Sequence, residues 1–342
     1  MKITTIGIDL AKNVFQVHGV DFQGKAVMRR QLDRTKVLPF FVKLEPCLIG
    51  MEVCGSAHYW ARKLVEMGHT VKLMAPQFVK AYVKSNKNDA ADAEAICEEV
   101  TRPNMRFVSI KTESQQAVLA LHRARQGFVK ARTSQANQIR GLLLEFGRII
   151  PQGISNIARR APQILEETTF PGSFRGLMQR LCEHLKELDR QVDALEAEIQ
   201  QWYRQSDASK KLAEVSGIGP LTSSALVATV GDAKNFANGR QLATWLGLVP
   251  KQHSTGGKSV LLGISKRGDS YLRTLLIHGA RAVIRVSDKN PSTTWLNRLL
   301  GRRNKNVAAV ALASKNARIV WALLTNNERR FRADYTPTIA SA

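Results

Sequence analysis

Apolar and polar residues alternate with a period of two through the first third of the chain. ITTIGIDL (residues 3–10), NVFQVHGV (13–20) and KAVMRRQL (25–32) read as three strands. DFQGK joins the last two as a turn, with Gly24 supplying the permissive backbone. CLIGMEVCG (47–55) reads as a short buried strand with Glu52 near its end, and HTVKLMAP (69–76) as a strand closed by Pro76. Between them SAHYWARKLVEMG (56–68) reads as a helix, capped by Ser56 and stopped at Gly68. DAADAEAICEEV (89–100) is a second helix. A meander of strands followed by strands alternating with helices predicts a mixed sheet flanked by helices.

The period then changes to that of a helix. A long helix is expected from Thr112, where Thr112 and Gln115 form a capping box. Val118, Leu121, Phe128, Ile139, Leu143 and Phe146 mark its apolar face. Arg123, Arg125, Lys130, Arg132 and Arg140 mark a basic face, read as nucleic-acid binding with a solvated face as the alternative. Further on, Leu181, Leu185, Leu188, Val192, Leu195, Ile199 and Trp202 recur at alternating spacings of four and three. That is a heptad seam about three heptads long, fit for self-association or for an intramolecular helical hairpin. LAEVSGIGPLTSSALVATVGD (212–232) reads as helix, Gly-Ile-Gly turn and helix, resembling a helix-hairpin-helix. Such a turn, through Gly217 and Gly219, can offer backbone N–H groups to a phosphate. A Ser/Thr/Gly-rich loop, HSTGGKS, precedes a basic helix.

Charge changes the picture. The 342 residues hold 51 Lys+Arg against 28 Asp+Glu, a net charge of +23. The excess is uneven: Ser265 to Arg332 holds fifteen Lys/Arg and three acids. A polyanion partner is indicated, nucleic acid first. The four cysteines form no CxxC pair, which argues against zinc and for a reduced, cytoplasmic setting. No apolar run is expected to approach the length of a membrane span, and MKITTIGIDLAK reads directly as a strand, not a signal peptide.

Against this basic background four acids stand out. Asp9 and Glu52 close strands, and Asp89 and Asp92 lie three apart on one helix face. Like charges at that spacing repel. Carboxylates that share a dication tolerate each other, and hard oxygen ligands suit Mg²⁺ or Mn²⁺. Two such ions roughly 4 Å apart can clamp the attacking and leaving oxygens of phosphoryl transfer.

GIDLAK, MEVCGSAHYW and KNDAADAEAI, in that order, resemble the RuvC-like domain of DEDD insertion-sequence transposases, the one-ten family of insertion sequences. GLVPKQHSTGGK and LGISKRGDSYLRTLLIHGAR resemble that family's second domain, in its STGGK-loop branch. The resemblance implies an α/β plus α chain. It has an RNase H-like mixed sheet at 1–110, long helices and a coiled coil at 111–208, a mainly helical transposase domain at 209–332, and a tail at 333–342. It implies that Asp9, Glu52, Asp89 and Asp92 bind metal and that Ser254 attacks DNA, forming a phosphoserine link. Thr255 is the alternative nucleophile; by their side-chain chemistry Lys258, Lys266, Arg267 and Arg273 fit phosphate contacts. The resemblance further implies donor and target DNA, a structured noncoding guide RNA, a dimer or tetramer with a site shared across protomers, and a bacterial, nucleoid-associated location. A RuvC-like junction nuclease using water, and a non-enzymatic nucleic-acid-binding protein, are the other readings.

Overall fold

The computed structural model describes residues 2–76, 89–103, 105–167, 169–287, 294–326 and 328–331. The expected tail at 333–342, and Lys87 and Asn88 at the start of the KND motif, lie outside the described residues. The chain divides into two compact units, residues 1–113 with 230–237, and residues 114–229 with 238–342.

Unit one is built on a six-stranded mixed sheet in the order β3-β2-β1-β4-β5-β6. The strands are β1 (Thr5–Leu10), β2 (Val14–Val20), β3 (Ala26–Asp33), β4 (Leu48–Glu52), β5 (Thr70–Met74) and β6 (Phe107–Val108). β1, β4 and β5 run parallel; β2, β3 and β6 are antiparallel to their neighbours. Strand alternation sends Ile6, Ile8, Ile49 and Met51 to one face, where they bury against α1 (Val37–Phe41) and α2 (Ala57–Glu66) through Phe41, Trp60 and Leu64. The opposite face carries Gly7 and Gly50, and α3 (Asp89–Glu99) lies directly on them. Glycine is required there. A Cβ on Gly50 would stand 2.8 Å from Val100 Cβ, and one on Gly7 would overlap the Ala93 carbonyl. The mixed sheet with flanking helices expected from the sequence is present.

Among its described residues, unit two is helical apart from one hairpin. Its helices are α4 (Glu113–Glu145), α5 (Ile154–Glu167), α6 (Gly172–Gln205), α7 (Asp207–Ala213), α8 (Pro220–Val230), α9 (Gly239–Trp245), α10 (Ser270–Ser287), α11 (Thr294–Leu300) and α12 (Lys305–Thr325). The heptad seam lies on α6, and much of it is buried within the chain. Leu185 lies in one core cluster with Ile139 and Leu143 of α4 and Ile157 of α5; Ile199 lies in another with Val118 and Ala228. Burying each such side chain stabilises by about 1.5–3 kcal/mol. The polar pairs across α4 and α6 are weaker, about 1 kcal/mol each where partly exposed, but they fix the register. Arg125 Nε donates to Glu196 at 2.7 Å, and Arg132 Nη1 to Asp189 at 2.9 Å. Two members of the basic face are therefore matched by the acids of α6.

α12 is long and apolar enough to cross a membrane by length and composition, contrary to the sequence expectation. Its small residues explain the composition: Ala308, Ala309, Ala313 and Ala317 are buried where α12 packs on α9 and α10.

Candidate active site

Asp9 sits one residue beyond the last paired position of β1 and β4, Ile8 with Met51, and alternation turns it to the α3 face with Gly7. Because α3 seats Ala93 and Cys97 over Gly7, its first turn lies at the carboxyl end of β1. Asp89 and Asp92 occupy that turn. One carboxylate oxygen from each of Asp9, Asp89 and Asp92 falls within 4.8 Å of the others. Asp9 and Asp92 are half-buried and Asp89 is exposed. Burial pushes the Asp9 carboxyl up to about 6, and the charges of Asp89, Asp92 and Glu52 push the same way. The Leu10 backbone hydrogen bond opposes them.

Glu52 is the last residue of β4 and points to the same face as Gly50. It is near enough to raise Asp9, yet it stands outside the group of three. The donor set is all carboxylate oxygen, which fits a hard divalent cation and not a soft one. Close by in the electrostatic sense is Glu99, fully buried on α3; among the described residues neither of its oxygens has a hydrogen-bond partner. Burial, then Glu52 and Glu98, push it up to about 7. Sequence reading passes over Glu99, because an acid late in a helix looks like surface.

Ser254 belongs to unit two. The stretch read as a loop is a two-stranded hairpin, β7 (Pro250–Thr255) and β8 (Lys258–Ile264), turned by Gly256 and Gly257 at φ 56° and 79°. Two consecutive glycines at positive φ are what a two-residue hairpin turn needs, so a signal was available. The whole of β7 is exposed, Ser254 with it. The base of the hairpin is anchored: Ser265 N donates to Val249 O at 2.8 Å, and Arg273 Nη1 to the carbonyls of Leu246 and Arg267 at 3.2 Å. Gly268 and Gly247 admit the interlocking backbones. The helix that follows, α10, is pinned by buried His122, which shares hydrogen bonds with Tyr271 Oη at 2.9 Å and Ser224 Oγ at 3.1 Å. Burial first, then Arg125, pushes His122 down to about 4, so it stays neutral in this core.

Two family models match the chain. A transposase model of the DEDD IS110 type covers residues 6–147, and the model described as "Transposase IS116/IS110/IS902 family" covers residues 209–295. The chain is 53% identical over 334 residues to "Probable family 20 transposase" of Pseudomonas aeruginosa, covering 95% of this chain and 98% of that one. It is 43% identical over 326 residues to "Transposase for insertion sequence element IS1328" of Yersinia enterocolitica, covering 95% and 97%. It is also 43% identical over 330 residues to "Transposase for insertion sequence element IS1111A" of Coxiella burnetii, covering 95% and 91%. The chain belongs to the IS116/IS110/IS902 transposase family.

This transposase is thus an enzyme of DNA cleavage and joining, and its DEDD domain implies dependence on divalent metal in general. The three converging aspartates and Glu52 all fall in the first matched region, and Ser254 in the second. The other candidates are placed as follows. Gly217, at φ 88°, is in close contact with the Gly279 backbone of α10, and Gly219 precedes α8 with open space around it. Lys258, Lys266 and Arg267 are exposed around the hairpin, Lys266 at φ 55°. Arg273 spends its guanidinium on the two carbonyls named above.

Proposed function

We propose that this transposase cuts and rejoins DNA strands through a covalent phosphoserine link at Ser254, with divalent metal on the acids of unit one and a structured noncoding RNA as guide. The observation that carries the reading is the meeting of Asp9, Asp89 and Asp92 at the end of β1. Asp9, Asp89 and Asp92 would hold Mg²⁺ or Mn²⁺, with Glu52 as a fourth carboxylate where two ions bind. A bound ion supplies charge stabilisation at the phosphate and activates the attacking oxygen.

Ser254 Oγ attacks phosphorus, its proton passing to a solvent base. The P–Oγ bond forms as the bond from phosphorus to one bridging nucleoside oxygen breaks, and that oxygen takes up a proton. A free hydroxyl of another strand then attacks the phosphoserine, and Ser254 regains its proton. Each step exchanges one phosphoester for another, so rejoining needs no nucleotide. An exposed, anchored hairpin supports this role for Ser254. The net charge of +23 supports a complex holding RNA with donor and target DNA in the bacterial cytoplasm, by a dimer or tetramer.

The test uses DNA carrying the element's junction and RNA transcribed from its flanking noncoding segment. Wild-type protein with Mg²⁺ is expected to give a denaturant-resistant protein–DNA adduct; EDTA, Ser254→Ala and Asp92→Asn are each expected to abolish it while leaving DNA binding intact. Cleavage without any adduct contradicts the serine mechanism and favours hydrolysis by water. Full adduct from Ser254→Ala moves the link to Thr255. Product formation without RNA removes the guide.

A further inference from the structure

Gln252 lies two residues before Ser254 on the same strand, so alternation puts both on one face of the hairpin, with Ser259 directly across from Ser254. His253 and Thr255 occupy the other face. The Gln252 carboxamide nitrogen donates to Ser254 Oγ at 2.8 Å and to Ser259 Oγ at 3.1 Å. One amide NH₂ has two protons, and this pair of bonds uses both.

We infer that Gln252 is the positioning residue for the Ser254 nucleophile, with Ser259 as the second anchor of the same clamp; this rests on the reading of Ser254 given above. An exposed serine on a two-stranded hairpin otherwise samples several rotamers, whereas in-line attack on a phosphate is favoured by one held in place. The amide fixes that rotamer. It also fills one lone pair of Oγ with a donor, leaving the hydroxyl proton directed away and free to depart. A donor to Oγ favours the charged form over the neutral one, so the amide promotes loss of that proton. Thr255 has no part in the clamp's hydrogen bonds, which distinguishes the two hydroxyls by geometry.

The near-isosteric change Gln252→Met removes the donor. In full-length Ser254→Cys protein that also carries Cys54→Ser, alkylation of Cys at 254 is followed against pH by mass spectrometry, with and without Gln252→Met. The thiol's apparent pKa is expected to rise by about half to one unit when the amide is lost. In protein retaining Ser254, Gln252→Met is expected to slow adduct formation at saturating DNA about three- to tenfold. DNA affinity and circular dichroism stay as in wild type. Ser259→Ala is expected to give a smaller slowing in the same direction. Unchanged thiol pKa and unchanged adduct rate, with the DNA-linked peptide mapped to Ser254, overturn the clamp alone. A linked peptide mapped to Thr255, or no adduct from wild type, overturns the Ser254 assignment and the clamp with it.

Discussion

Gly7 of β1 lies directly beneath Ala93 of α3, so close that any side chain on Gly7 would overlap the Ala93 carbonyl oxygen and the Cys97 backbone nitrogen. This contact sets the height of α3 above the sheet, and with it the gap between Asp9 and the Asp89–Asp92 turn. Gly7→Ala must push backbone against backbone, at a cost of about 1–3 kcal/mol or more. The expected result is lower stability in urea and loss of the thermal shift that Mn²⁺ is expected to give wild-type protein. A variant that keeps the full Mn²⁺ shift would show that the aspartates do not depend on this contact.

Asp9 makes the metal-free protein pH-sensitive. Its folded carboxyl titrates near 6 against an ordinary 3.8, so folding favours the protonated form. The stability this gives is complete below about pH 4 and is lost as pH rises through 6. Asp9→Asn is therefore expected to be more stable than wild type in EDTA at pH 8, by about 1 kcal/mol once solvent screening of this half-exposed carboxyl is allowed for, with the difference gone at pH 4. Added Mn²⁺ should stabilise wild type and leave Asp9→Asn nearly unmoved. Urea melts at the two pH values check this.

Glu99 offers a second titration of the same sign. Burial first, then Glu52 and Glu98, hold it near 7 against an ordinary 4.5. Stability from its protonated form is present below 4.5 and declines as pH rises through 7. Glu99→Gln removes the buried charge and should stabilise the protein at pH 8 by about 1 kcal/mol or more, with no gain at pH 4. Destabilisation at pH 8 would mean that Glu99 meets a cation in the working protein.

Lys211 of α7 closes unit two from inside. Its ammonium, on a buried side chain, donates to Leu323 O at 2.8 Å and Asn326 O at 2.7 Å, at the carboxyl end of α12. Burial first, then Arg330, pushes its pKa down. Hydrogen bonds from a charged donor contribute about 1.5–3 kcal/mol. Lys211→Met is expected to lose about 2 kcal/mol in denaturant, with amide exchange in the last turn of α12 speeding up most. Unaltered exchange there would rule out the cap.

The parts that are legible in the sequence are those where one local period decides. Ile6, Ile8, Phe15 and Val17 alternate cleanly, so β1 and β2 can be read directly, and Gly68 at φ 92° marks the end of α2. The acids at Asp9, Asp89 and Asp92 are legible as a conjunction, since their chemistry is unusual in so basic a chain. What is not legible depends on partners distant in sequence. The seam from Leu181 to Trp202 has the right spacing, but spacing does not say that Ile139, Leu143 and Val118 cover it. α5 carries Pro162 in its interior, which hides a helix from propensity. The serine hairpin has no buried face on β7, so no alternation announces it and only its Gly256–Gly257 turn does.

On the reading proposed above, Asp9, Asp89 and Asp92 form one divalent-cation site. Isothermal titration of Mn²⁺ into wild-type protein and into Asp92→Asn tests it most directly. Saturable binding of at least one ion per wild-type chain is expected, with affinity about tenfold or more weaker in the variant, as for one lost carboxylate ligand. Indistinguishable isotherms for the two proteins would contradict it.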